Sequence, residues 1–213
     1  CIRDRYMRNI LITQSLIENK HKELVWSLEE NWYKYFQNKN INLVPLNSNF
    51  QNFKKIIQTK PLGIVFSGGN DLNFLKKEKV NFIRDSLEKK ILETVLKKKI
   101  PILGVCRGFQ LIASYFKCKI IKQKGHVKTI HELKINKQIY KHKLKNIKVN
   151  SFHNFTVQTL PKSFELVVKH KDGSIEIASS KKLKILSLMF HPERKNISQK
   201  AIDKVIFSHF NIK

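Results

Sequence analysis

Residues 100–116, IPILGVCRGFQLIASYF, hold the change of rhythm on which the fold turns. Ile100 to Val105 is a short unbroken apolar run, the pattern of a strand buried on both faces. After Cys106 the apolar residues Leu111, Ile112, Tyr115 and Phe116 recur at helical spacing. Gly104 and Gly108 flank the cysteine, so no side chains collide across a sharp strand-to-helix turn. A thiol placed there stands clear of the sheet and sits at a helix N-terminus, whose partial positive charge favours thiolate. The pattern G-x-C-x-G is short, and a buried cysteine in an ordinary crossover fits these residues equally well.

Upstream, strand and helix alternate. Ile10 to Thr13, Asn42 to Leu46 and Gly63 to Phe66 read as strands. Between and after them lie three predicted helical faces: Leu24, Val25, Leu28, Trp32, Tyr35 and Phe36; Phe50, Phe53, Ile56 and Ile57; and Val80, Ile83, Leu87, Ile91, Leu92 and Val95. Such alternation predicts a mostly parallel sheet with helices on both faces. From residue 118 the chain becomes β-rich, with short runs at 119–122, 127–135, 144–149, 164–170, 174–178 and 185–190. Asp172-Gly173 marks a hairpin between two of them. A last helix carries Ala201, Ile202, Val205, Ile206, His209 and Phe210 on one face. We expect one α/β domain over residues 7–213. Cys1 to Tyr6, preceding Met7-Arg8-Asn9-Ile10, are expected to be a non-native leader.

Of 213 residues, 42 are basic and 16 acidic, so the net charge is +26 and polyanions must be considered as partners. The lysines are scattered through every segment and no recognition module appears, which disfavours specific nucleic-acid binding. A basic surface that draws in a small anionic substrate fits the same number. No apolar stretch approaches the length of a membrane span and no signal peptide is evident, which makes the cytoplasm the expected location. Cys106 and Cys118 show no paired pattern, so no disulfide framework is expected.

Two further motifs point to chemistry. Ser67-Gly68-Gly69-Asn70-Asp71 follows a buried strand, at the sheet edge where α/β proteins place ligands. Met189-Phe190-His191-Pro192-Glu193-Arg194 ends the last predicted strand. A thiolate nucleophile needs an imidazole to move protons, and the imidazole needs a carboxylate to fix its tautomer. Cys106, His191 and Glu193 supply that set in order. The backbone N–H groups of the Gly-Gly loop and of Arg107 are candidate oxyanion donors.

On these residues the chain resembles the class I glutamine amidotransferases, and within them the γ-glutamyl hydrolase branch. Gly104 to Gln110 matches the family's G-x-C-x-G-x-Q, and Phe190 to Glu193 its F-H-P-E. Arg84, Asp85 and Glu88, the segment Asn150-Ser151-Phe152-His153, and Asp172-Gly173-Ser174-Ile175-Glu176 resemble signatures of the branch. The resemblance implies a flavodoxin-like fold, Cys106 as nucleophile, His191 as base and acid, and Glu193 as orienting carboxylate. It further implies an oxyanion hole from Gly69 and Arg107, and a γ-glutamyl pocket lined by Gln110, Asn150, Ser151, Phe152 and His153. No cofactor and no metal is implied, and a homodimer is left open. Arg107, Gly125-His126-Val127, His131 and Asn150 to Asn154 are together similar to the γ-glutamyl-CDP-amidate hydrolases of surface-polysaccharide synthesis. The loop after Asp71 departs from the branch, carrying Leu72-Asn73-Phe74-Leu75 in place of a longer histidine- and proline-containing segment.

Local readings stand beside these. His126, His131 and Glu132 match no standard zinc spacing, which argues against a metal there. Arg84, Asp85 and Glu88 read as a structural pairing that holds their helix near the elbow, Trp26 and Trp32 as packing, and Cys118 as inert. Two rival functions remain: a glutaminase subunit that feeds ammonia to a separate synthase, and a non-catalytic nucleotide- or nucleic-acid-binding regulator.

Overall fold

The computed structural model describes residues 8–37 and 39–212; the expected leader and Met7 lie outside them. In chain order the strands are β1 (Asn9–Thr13), β2 (Ser15–Glu18), β3 (Leu24–Ser27), β4 (Asn42–Leu46), β5 (Gly63–Phe66), β6 (Ile102–Val105), β7 (Ile120–Lys122), β8 (Val127–Ile139), β9 (His142–Phe152), β10 (Phe155–Val157), β11 (Glu165–Lys169), β12 (Ile175–Ser180) and β13 (Ile185–Leu188). The α-helices are α1 (Glu30–Gln37), α2 (Phe50–Ile56), α3 (Lys79–Lys97), α4 (Arg107–Tyr115) and α5 (Gln199–His209). Seven strands form the central sheet in the order β11-β12-β13-β6-β5-β1-β4. From β4 to β13 neighbouring strands are parallel, while β12 and β11 add an antiparallel edge.

The central strands are the apolar runs of the sequence, and each residue of β5, β6 and β13 is buried. Strands without a polar face need cover on both sides. Trp32 and Phe36 of α1, Ile202 and Ile206 of α5, and the inner residues of the β8–β9 ribbon cover one face. Phe53 of α2, Ile91, Leu92 and Val95 of α3, and Leu111 and Ile112 of α4 cover the other. The expected α/β architecture is the one observed. Among the described residues no helix is long and apolar enough to cross a membrane.

Three stretches differ from expectation. Leu24, Val25 and Leu28 do not belong to a helix with Trp32: β2 and β3 form a hairpin, and α1 starts only at Glu30. The Asn19 side chain closes that hairpin, its Oδ1 accepting from His21 N at 2.9 Å and Glu23 N at 3.0 Å. The turn so made competes with helix, a local bond that periodicity does not register. The second difference is length: the β8–β9 ribbon runs on to a turn at Tyr140, with β8 reaching Ile139. The third is β10, which was not foreseen and pairs antiparallel with β7. The hairpin at Asp172-Gly173 is present, with Ser174 N donating to Asp172 Oδ1 at 3.0 Å.

Candidate active site

Register places the site. In the parallel pair β6–β13, Val105 lies opposite Leu188. The next residue after β6 is Cys106, and the third after β13 is His191, so two segments far apart in sequence leave the same sheet edge side by side. Cys106 has φ +52° and ψ −106°, outside the regions that ordinary L-residues occupy. Strain of this kind persists only where surroundings impose it. Here α4 imposes it by pressing on β5: a side chain at Gly108 would lie 1.9 Å from the Phe66 carbonyl oxygen, and one at Gly104 2.6 Å from Ile112 Cδ1. The two glycines of the elbow are therefore required for close approach. Cys106 is 6% exposed.

His191 is held from every side. Its Nδ1 lies 2.6 Å from Glu193 Oε1. Its backbone N–H donates to Asn150 Oδ1 at 2.9 Å, and its carbonyl accepts from Asn150 Nδ2 at 2.8 Å and from Asn196 Nδ2 at 2.9 Å. The Phe152 ring stands edge-on to the imidazole at 6.0 Å between centroids. Burial by itself would favour the neutral ring. The nearness of Cys106 and then of Glu193, which shares the 2.6 Å contact with Nδ1, outweighs that and holds the imidazole pKa up at about 10.

A cleft of about 380 Å³ opens beside this arrangement, walled by Ser67, Gly68, Gly69, His191, Glu193 and Arg194 and by Ser15, Ile17, Ser27, Leu28, Glu29 and Trp32. That volume suits a small molecule. The β2–β3 hairpin and the turn into α1 thus contribute a wall that the sequence reading, taking the stretch as helix, did not anticipate. Arg194 joins the two sides: its Nη2 donates to Glu29 Oε2 at 2.8 Å and its guanidinium sits 4.7 Å from the centre of the Phe152 ring.

The other expected site residues are placed as follows. Gly69, with φ +103°, lies on the cleft. Arg107 sends its guanidinium away from the cleft, into ion pairs with Asp85 and Glu88, and Glu88 also pairs with Arg84 at 2.9 Å. Cys106, Arg107, Gln110 and the segment Asn150 to His153 are not among the residues lining the cleft. Gln110 Nε2 donates to the Phe155 carbonyl at 2.9 Å, Asn150 grips the His191 backbone, and Ser151 Oγ donates to the His126 carbonyl at 2.6 Å. His153 lies with His126 and His131 against Glu176, whereas Glu132 is at the surface, paired with Lys148.

A mostly parallel sheet with a ligand cleft at its edge is the flavodoxin-like architecture of glutamine amidotransferase domains. The chain belongs to the class I glutamine amidotransferase family, whose model matches residues 20–210. A γ-glutamyl-CDP-amidate hydrolase of Campylobacter jejuni is 35% identical over 191 residues, covering 87% of this chain and 90% of that protein. A glutamine-hydrolysing GMP synthase subunit of Thermococcus kodakarensis is 30% identical over 142 residues, covering 66% and 70% of the two chains. Among solved structures, a candidate GMP synthase subunit of Thermoplasma acidophilum superposes with a TM-score of 0.74 at 17% identity, covering 96% of this chain and 94% of that one. A Thermotoga maritima glutamine amidotransferase gives 0.69 at 17% identity, covering 96% and 83%. At those identities the superpositions show the fold alone.

Proposed function

We propose that this protein is a cysteine-dependent hydrolase of γ-glutamyl amides, with Cys106, His191 and Glu193 as its catalytic residues. The observation that carries the reading is geometric: the β6–β13 register brings His191 to the sheet edge that Cys106 leaves, with its Nδ1 2.6 Å from Glu193 Oε1. In the proposed reaction the Cys106 thiolate attacks the γ-carbonyl carbon, and the C–S bond forms as the carbonyl oxygen becomes negative. The N–H groups of Gly69 and Arg107 receive that oxygen. His191 gives its Nε2 proton to the departing nitrogen as the C–N bond breaks, leaving a γ-glutamyl thioester. Acylation removes the negative charge that held the imidazole pKa up, so the neutral ring is then free to act as base. Water gives a proton to His191 and attacks the thioester; glutamate leaves, and the thiolate and imidazolium are restored.

Two features support a nucleotide-linked leaving group. The relative with 35% identity is a γ-glutamyl-CDP-amidate hydrolase, and a net charge of +26 suits an anionic substrate. The substrate we favour is therefore a γ-glutamyl phosphoramidate of a nucleoside diphosphate, hydrolysed in the cytoplasm. The likeness to a glutamine-hydrolysing GMP synthase subunit supports a second reading, a glutaminase that passes ammonia to a separate synthase. Purified protein separates them: the hydrolase turns over its γ-glutamyl amide alone, and the glutaminase needs its partner.

The test is to trap the thioester. On incubation with γ-glutamyl compounds, including a nucleotide-linked one, mass spectrometry should find a glutamyl adduct on the Cys106 peptide, accumulating when deacylation is slowed. Substrate consumption by a Cys106→Ala protein at the wild-type rate would overturn the mechanism.

A further inference from the structure

Away from the cleft, three histidines from three segments converge on one carboxylate. His126 precedes β8, His131 lies on it, His153 follows β9, and Glu176 belongs to β12. Their exposures are 2%, 2%, 3% and 0%, and one ligand-type atom of each lies within 4.8 Å of the other three. The sequence argued against a metal because His126, His131 and Glu132 match no standard zinc spacing and no cysteine joins them. Alternation along a strand puts His131 and Glu132 on opposite faces, and the acid that shares the inner side with His131 is distant in the chain.

The bonding within the cluster is incomplete. His126 Nε2 is 2.6 Å from Asp172 Oδ2, which leaves its Nδ1 without a partner. His131 Nδ1 is 3.0 Å from Glu176 Oε1, which leaves its Nε2 without one. Among the described residues neither nitrogen of His153 is hydrogen-bonded, its Nε2 standing 3.7 Å from Glu176 Oε1, and Glu176 Oε2 has no partner either. Buried polar atoms are nearly always paired. Here five unpaired ones, on four side chains, share one small volume. Ring centroids of His126 lie 4.7 Å from those of both His131 and His153, too close for three protonated rings to coexist cheaply. Neutral imidazole lone pairs and a carboxylate share one natural complement, a divalent cation.

We infer that His126, His131, His153 and Glu176 bind a first-row divalent transition cation, for which Zn²⁺ is the reference ion. Three imidazoles and a carboxylate oxygen are a donor set that zinc accepts, and four protein ligands with full burial describe a closed structural site. His126 ligates through Nδ1, with Asp172 holding the opposite N–H as the outer carboxylate that such ligands usually have. With bonds of about 2.0–2.1 Å a tetrahedron has edges of about 3.4 Å, so the four donors draw inward when the ion enters. The ion ties the start of β8, the end of β9 and β12 together. Three residues before His153 on that strand is Asn150, whose side chain grips the His191 backbone, so the clip steadies the seat of the imidazole.

The test uses full-length, tag-free protein stripped by a chelator and returned to Zn²⁺ or Co²⁺. Elemental analysis should find one zinc per chain. The Co²⁺ protein should show the intense visible bands of four-coordinate cobalt without a sulfur charge-transfer band, and chelation should lower Tm. His131→Gln and Glu176→Gln should cut the bound metal at least about tenfold, while Glu132→Gln and Cys106→Ala keep the full equivalent. The inference fails if stripped wild-type protein takes up no stoichiometric Zn²⁺ or Co²⁺, a result independent of whether any variant folds. It fails equally if the metal survives His131→Gln or disappears with Cys106→Ala, since the ion would then sit elsewhere.

Discussion

Gly68→Ala tests whether the imidazole must stand where the fold puts it. A Cβ at this position would lie 2.6 Å from His191 Cε1, with Nε2 and Nδ1 at 3.4 and 3.5 Å. Carbon atoms settle at about 3.5–4.0 Å, so the ring edge has to retreat by roughly 1 Å. It has little freedom to do so, because Glu193 holds Nδ1 while Asn150 and Asn196 hold the backbone. Misplacing a catalytic group by about 1 Å costs on the order of 100-fold in rate, or roughly 2.7 kcal/mol in the barrier. Overpacking costs the fold about 1–3 kcal/mol, which a domain of ordinary stability survives. The assay is kcat/KM on a γ-glutamyl amide, with circular dichroism as the check on folding. Gly125→Ala serves as the comparison, since φ is +87° there and nothing lies within 4 Å of the added carbon; it should lose some stability and keep its rate. A folded Gly68→Ala protein with the wild-type rate would refute the placement of His191 in the chemistry.

Asn150→Ala removes both side-chain bonds to the His191 backbone and should lower kcat about 10- to 100-fold while leaving KM nearly unchanged; an unchanged kcat in steady-state assays counts against a positioning role. Arg107→Met leaves Asp85 and Glu88 buried without their shared partner and should cost about 3–5 kcal/mol in urea unfolding, whereas a loss under about 1 kcal/mol would mean the pair is not buried as described. Burial holds the His209 imidazole down at about 4, against the bond from its Nε2–H to the Ile102 carbonyl. The unfolded chain binds that proton near pH 6.5, so stability present above this value should fall by up to roughly 3 kcal/mol as pH drops toward 4, and His209→Gln should flatten that part of the profile. Because the His191 imidazole pKa is held up at about 10, the alkaline loss of kcat/KM that reports the proposed general acid should come as pH rises through that value; a decline centred near neutral pH would contradict the pairing with Cys106.

Much of the frame was legible because it is written in local periods. The buried strands, the elbow at Cys106 and the F-H-P-E turn after the last strand are each short patterns whose meaning does not depend on distant residues. Arg84, Asp85 and Glu88, read as structural, do hold α3 to the elbow, through Arg107. What escaped the reading depends on pairings across the chain. Leu24 to Phe36 has helical spacing throughout, yet one asparagine turn diverts its first part into a hairpin that walls the cleft. Asn150 sits in a recognisable segment, but its grip on the backbone of His191 appears only once β9 is laid against the end of β13. His131 could not be matched with Glu176 by inspection, because the pairing is made between strands of two different sheets, the β8–β9 ribbon and the central sheet.

The buried charges beneath the elbow follow from its geometry. The Arg107 side chain runs away from the cleft and into the core. Two carboxylates from α3 meet it there, and one guanidinium cannot balance both. Arg84 supplies the second positive charge: burial, then the neighbouring Arg107, bring it down to about 10, still charged at neutral pH. Its free nitrogens reach beyond α3. Nη2 donates to the Ser67 carbonyl at 3.0 Å and Nη1 to Asn70 Oδ1 at 3.0 Å, the two sides of the Gly68-Gly69 loop. One neutral network of two guanidiniums and two carboxylates therefore grips both segments from which the proposed oxyanion donors come. A buried network of this kind is weak evidence for stability, but it gives the two N–H groups a common anchor, and damage to any one of its members should loosen both.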